Sequence, residues 1–323
     1  MQDTDYVIPE YSHKIDHLVS SSKRLSGLRE WMIETVPCFP ASSDTKSHLR
    51  KMSLDQLMRV YINWIDRFIP TNPRQPMVWD GFWTRNNPRQ YADQINVIIE
   101  KARVGEDLTP YLSQKVHTHG FVPYPPSRRG VNWGDKDMAL NAYDVHHLHL
   151  IPANKNRKRK GDSKHLLYVG VSREEFRFLM LGNHNSFDDG TLAEAVAAHR
   201  ADSDLALKGV VGLSREMSAK ESQQLARHGI STPMIAGNKV VLGAMISSVG
   251  TASGHVIHVD RCCEVIERNE EVIDDRSRLM DWLQLSEEDV PEKPDWRWQF
   301  YHANLYLVEC CTAKGFLVCK WRR

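Results

Sequence analysis

The sequence predicts an α+β protein with a helical N-terminal region, a central antiparallel β-meander and a mixed α/β C-terminal region. Three observations carry this. Apolar residues recur at helical spacing in "LSGLREWMIETV" and "LDQLMRVYINWIDRFI". Three short strand-like runs follow, "VHHLHL", "HLLYVGV" and "FRFLMLG", and their simplest topology is up-down-up. Beyond about residue 204, helical and strand-like runs alternate. The expected regions are therefore 1–135, 136–203 and 204–323.

The elements follow in order. Residues 1–36 carry one or two helices, and "PCFPASSDTKSH" breaks the pattern. Ser53 and Gln56 have capping-box spacing and open a helix. Its apolar face is Leu54, Leu57, Met58, Tyr61, Ile62 and Ile65 with Phe68 or Ile69, and it stops before Pro70. "TNPRQPMVWDGFWTRNNPRQ" reads as an irregular loop, with Trp79 and Trp83 as a packed pair. "YADQINVIIEKARVG" is a helix closed by Gly105, and 117–135 is a connector. After the meander, Thr191 and Glu194 cap one helix, and Ser218 and Glu221 cap another that ends at Gly229. "KVVLGAMISSVG" and "HVIHV" read as strands, with His255 and His258 packed around Val256 and Ile257. "GTASG" between them is a plain turn. "RCCEVIERNEEVI" and "RSRLMDWLQL" read as helices. The last 26 residues form a hairpin turning at Ala313–Lys314–Gly315.

Composition narrows the function classes. The 323 residues are 41% hydrophobic, enough for a real core, and the net charge of +1 gives no whole-protein grip on nucleic acid. Any such contact must come from local patches. The start, "MQDTDYVIPEYSHKIDHLV", has acids where a signal peptide needs bases. No window of about eighteen apolar residues exists, so a soluble cytoplasmic protein is expected. The six cysteines include the adjacent pairs Cys262–Cys263 and Cys310–Cys311, which lack C-x-x-C spacing. On a strand, neighbours point to opposite faces, so these read as small packed hydrophobes and no metal or cofactor is assigned. There is no H-E-x-x-H, G-x-S-x-G or phosphate-loop signature.

Histidine is the compositional oddity: fifteen residues, roughly twice ordinary usage. Four lie in "DVHHLHLIPANKNRKRKGDSKHLLYVGV", 144–171. Strand parity puts His147 and His149 on one face with Val145, and His146 on the other with Leu148 and Leu150. In an up-down-up meander, His149, His165 and His184 fall at the same edge. The basic loop with Lys155, Arg157, Lys158, Arg159 and Lys160 rises from that edge. Imidazole titrates near neutrality. One neutral ring can take the proton of a ribose 2′-hydroxyl while a protonated one serves the leaving oxygen. The cationic loop would hold phosphates. The assigned catalytic residues are His147, His149 and His184. A metal-dependent hydrolase using His147, His149 and His184 with Asp188 or Asp189 is an alternative. A non-catalytic module that binds nucleic acid or an acidic partner is another.

The stretch "NAYDVHHLHL … KHLLYVGV … FRFLMLGNHNSFDD", with "GEDLTPYLS" at 105–113, resembles uncharacterised bacterial toxin and phage-defence proteins. These share an H-[HFL]-H-L strand followed by a short "LL[FY]" strand. A compact antiparallel sheet bearing histidines also resembles ribonuclease toxins of the RelE and BrnT type, over 144–203 and in architecture alone; those toxins are much smaller than this chain. The resemblance implies an RNA-cleaving effector, with an antitoxin or other regulatory protein as partner and no membrane.

Overall fold

A computed structural model of the chain describes residues 15–123, 134, 136–154, 164–203 and 205–321. The protein is α+β, with a helical N-terminal region. It forms two compact units, each discontinuous in sequence. The smaller takes its described residues from Met1–Thr35, Ser47–Met58 and His258–Trp321, and the larger from Val36–Lys46 and Arg59–Ile257.

The N-terminal helices are α1 (Ile15–Val19), α2 (Lys23–Thr35), α3 (Ser43–Arg50) and α4 (Leu54–Ile65). Helix α3 begins inside the stretch expected to be irregular and runs past its end. Ser42 starts it by accepting the Thr45 amide hydrogen at 3.2 Å, a cap that the flanking prolines mask in the sequence. Helix α4 buries the expected face from Leu54 to Ile62 and also buries Asn63, Asp66 and Arg67 just beyond it. Those three polar residues belong to the site described below.

Strand β1 (Gln75–Val78) is a second departure, because it lies in the expected loop. It pairs parallel with β4 at the sheet edge, where Pro76 is tolerated. Trp79 and Trp83 are not a packed pair. Trp79 packs on His199, Trp83 is exposed, and Phe82 between them is the core residue. Helix α5 (Ala92–Val104) ends as expected at Gly105, whose φ of 77° is the left-handed conformation glycine adopts freely.

Helix α6 (Met138–Tyr143) leads directly into β2 (Val145–His149). Strands β3 (His165–Val171) and β4 (Glu175–Asn183) complete the antiparallel meander, in the order β1-β4-β3-β2. Both faces of this sheet are covered, which explains why its strands read as nearly continuous apolar runs. One face packs Leu148, Leu167, Val169, Phe176, Phe178 and Leu181 against Ile95 and Ile98 of α5. The other packs Val145, Leu166, Tyr168 and Met180 against α7 (Thr191–Asp202). A bulge at Leu179 lets Phe178 and Leu181 share a face.

Helix α7 begins at Gly190 rather than at a Thr191–Glu194 box; Thr191 spends its hydroxyl on Asp189 instead. Its His199 is buried, with Nε2 3.4 Å from the Arg177 guanidinium and 3.0 Å from Ser203 Oγ. Burial first, and then Arg177 and Arg200, push the imidazole down to about 4 from 6.5. The unfolded chain therefore binds a proton that the native state refuses. This contribution is full above pH 6.5 and is lost as pH falls towards 4. The expected loss over that window is about 3 kcal/mol. Urea unfolding of the wild type and of His199→Gln at several pH values checks it, and the variant should show a much shallower acid limb.

Helix α8 (Ala219–Arg227) carries the full Ser218–Glu221 capping box. The short hairpin β5 (Pro233–Ala236) and β6 (Lys239–Leu242) follows. "HVIHV" is not a strand: it lies within helix α9 (Ser253–Asn269), and the packed residues Val259, Cys262 and Ile266 continue at helical spacing. Helix α10 (Arg276–Leu283) precedes a three-stranded antiparallel sheet, β7 (Trp296–Tyr301), β8 (Asn304–Glu309) and β9 (Lys314–Cys319). This sheet corrects the expected single hairpin. It has one turn at His302–Ala303 and another at 310–313, and Lys314 and Gly315 already belong to β9.

In the smaller unit, β7 alternates in the manner of a sheet with one dry face. Trp296, Trp298 and Phe300 are buried, and α2 packs on β7. The buried Glu270 accepts hydrogen bonds from Ser22, Arg24 and Trp298. Glu309 ties the second turn. Burial alone would raise its pKa, but hydrogen bonds donated by Thr312, Asp295 and Cys311 hold it at about 2. Cys262 and Cys263 are buried as expected, whereas Cys310 is half-buried and Cys311 exposed.

Candidate functional site

The site is built around β2. Strand parity holds: His147 faces Tyr168 and His149 faces Leu166 on the sheet face that α7 covers, while His146 is buried beside Val169. The end of β2, the start of β3 and the end of β4 also meet at one edge, since His149 pairs with Leu166 and His165 with Asn183.

The four histidines nevertheless separate into different roles. His165 has the parity of Leu167 and points to the opposite face, where both its ring nitrogens lie 3.1–3.2 Å from the Tyr91 hydroxyl. His149 is buried, with its ring centroid 5.6 Å from that of His184. His147 and His184 line one cavity of about 320 Å³, within the range of small-molecule sites. His149 is not among the lining residues, so the catalytic set expected from sequence is brought together in two members, with the third packed behind them.

Local structure fixes each lining group. Asp137 is the N-cap of α6, accepting the Leu140 amide hydrogen at 3.1 Å. Its other oxygen is 3.5 Å from His147 Nδ1. The helix is only six residues long and turns through the left-handed Asp144 into β2. His184 sits in the turn after β4. That turn folds back tightly: a Cβ on Gly182 would lie 2.5 Å from Ser186 Oγ, and Ser186 accepts the Asn183 amide hydrogen. Asp188, from the same turn, is held by Arg227 and Gln223. Tyr168 donates its hydroxyl to the Asn183 carbonyl, and burial raises its pKa far out of the neutral range.

Three cations complete the lining: Arg67, Lys115 and Lys136. Lys136 donates to the Val249 carbonyl, and burial lowers its ammonium to about 7. Arg67 is buried and donates to the His119 carbonyl at 3.0 Å and, at 3.5 Å, to Asn63 Oδ1. Behind it runs a wholly buried polar chain. His255 Nε2 is 2.7 Å from Asp66, its Nδ1 is 3.5 Å from Asn63, and Asn63 donates to Asn141 at 2.6 Å. Sequence reasoning missed Arg67, Lys115, Lys136, Asp137 and this chain. "DKD" immediately before a short helix was the one local signal, since Asp137 is a good N-cap residue. The rest arises from contacts distant in sequence.

The alternative metal set does not close. Among the described residues, no three ligand atoms of His147, His149, His184, Asp188 and Asp189 fall within 4.8 Å of one another. The expected phosphate contacts Lys155, Arg157, Lys158, Arg159 and Lys160 lie outside the described residues. No helix among the described residues is long and apolar enough to cross a membrane. Comparison with protein-family models, with curated proteins and with solved structures found no match.

The arrangement can bind an anion and move protons on it. It offers two imidazoles, one with a carboxylate 3.5 Å from its Nδ1, and the side chains of Arg67, Lys115 and Lys136 around a cavity of about 320 Å³.

Proposed function

We propose that this cavity cleaves RNA by histidine acid–base catalysis without a catalytic metal, as a cytoplasmic effector of the toxin or phage-defence kind. The observation that carries the reading is the placement of His147 and His184 on one cavity with Arg67, Lys115 and Lys136. The Asp137 carboxylate lies 3.5 Å from His147 Nδ1, so Nε2 is the nitrogen assigned as the base. His147 takes the proton of the ribose 2′-hydroxyl, and the 2′-oxygen attacks phosphorus. The P–O5′ bond breaks, and protonated His184 gives its proton to the departing oxygen. The products are a 2′,3′-cyclic phosphate and a 5′-hydroxyl, with no water consumed in this step. The cations stabilise charge on the phosphoryl oxygens. Lys136 does so best below pH 7, where its ammonium is charged.

The purified protein should cut single-stranded RNA in the presence of EDTA and leave DNA of the same sequence intact, because DNA lacks the 2′-hydroxyl. Circular dichroism of the same samples establishes that the chelator has not unfolded the protein. Loss of cleavage from folded protein in EDTA, or equal cutting of DNA, contradicts the proposal.

A further inference from the structure

The smaller unit contains a second cluster, unconnected with the RNA-cleavage reading. His258 and Cys262 are one turn apart on α9, and Cys319 is the last residue of β9. All three are buried, and their ligand atoms all lie within 4.8 Å of one another. Cys262 Sγ is 3.6 Å from His258 Nε2, and Cys319 Sγ is 3.9 Å from Nδ1.

We propose that His258, Cys262 and Cys319 hold a thiophilic cation of the zinc class. Three features support this. The donors are two sulfurs and an imidazole, the set that zinc favours over harder cations. Their spacing approaches that of a chelate: tetrahedral angles with Zn–N and Zn–S bonds of about 2.1 and 2.3 Å place donors roughly 3.6–3.8 Å apart, and the ligating Nδ1 lies 3.9 Å from Cys319 Sγ, with all three ligand atoms within 4.8 Å of one another. The imidazole also has its outer partner in place. Nε2 donates to the Ala303 carbonyl at 2.6 Å, which fixes the tautomer and leaves the Nδ1 lone pair towards Cys319.

Simple packing of cysteine does not account for the grouping. Cys263 is as fully buried as its neighbour Cys262 and joins no such cluster. The ligands come from sequence positions 258, 262 and 319, so a bound ion would pin the C-terminal strand to α9. Three protein donors leave one position of the tetrahedron for a further ligand.

The test uses full-length protein purified under reducing conditions, with elemental analysis for metal. The expected content is about one zinc per chain, falling below about a tenth in Cys262→Ser/Cys319→Ser. A variant that fails to fold does not close the question, because the wild type can be stripped and titrated with Co²⁺. A tetrahedral cobalt–thiolate spectrum that saturates near one equivalent and is displaced by Zn²⁺ supports the site. Protein that carries no metal and gives no such spectrum overturns it, as does undiminished zinc in a folded double variant. RNA cleavage is not the readout, so failure here and failure of the nuclease reading are separate results.

Discussion

Replacing His147 with alanine is expected to lower the rate of RNA cleavage by about 10²–10⁴-fold, the usual contribution of a positioned general acid or base. His184→Ala should lose a similar factor. The two together should lose much less than the product, because the proton removed and the proton delivered belong to one displacement. Asp137→Asn leaves the shape intact but offers the wrong partner to Nδ1, so it should reduce the rate without abolishing RNA binding. His165→Ala serves as the control. Its ring lies on the opposite face of the sheet against Tyr91 and should leave the rate within about twofold of wild type. Initial rates on a fluorescent oligoribonucleotide measure all five variants. A His147→Ala variant that is folded and cuts RNA at the wild-type rate removes the assigned base.

The second large effect is on stability. His255→Ala should destabilise the larger unit by about 3–5 kcal/mol, because it leaves the Asp66 carboxylate buried without its imidazole. The chain His255–Asn63–Asn141 would lose its end member, and Asn63 also accepts from Arg67. The damage should therefore reach the cavity as weaker RNA binding, through a residue that never touches substrate. Asp66→Asn combined with His255→Gln keeps a hydrogen-bonding pair and removes the buried charge, and it should recover much of the loss. Guanidinium unfolding followed by tryptophan fluorescence reads the difference. A loss below about 1 kcal/mol for His255→Ala would show that the pair carries no uncompensated charge.

Much of the central sheet was legible in the sequence. Apolar runs bounded by turn residues marked β2, β3 and β4, and a period of two sorted His147 and His149 from His146 correctly. The Ser218–Glu221 box and Gly105 marked helix ends because capping is local chemistry. Other elements were hidden for identifiable reasons. Strand β1 contains Pro76, which reads as a breaker unless the strand is known to be an edge. The five residues "HVIHV" fit a strand by themselves, and only the continuation from Val259 to Cys262 and Ile266 shows the helical period. Covering both faces of the sheet erased the alternation that would have assigned His165 and His184 to faces. The cavity itself was legible only in part. Two imidazoles were found by parity and topology. Arg67, Lys115 and the adjacent Lys136 and Asp137 come from three other places in the chain, and the grouping of His258 with Cys319 spans 61 residues.

The chemistry of the cut ends tests the central claim most directly. RNA fragments should be separated after brief digestion by the purified protein and their termini determined by mass. A histidine pair acting on the 2′-hydroxyl predicts a 2′,3′-cyclic phosphate on one fragment and a 5′-hydroxyl on the other. Fragments ending in 3′-hydroxyl and 5′-phosphate would mean that water, not the ribose, attacked phosphorus, and would contradict the roles given to His147 and His184.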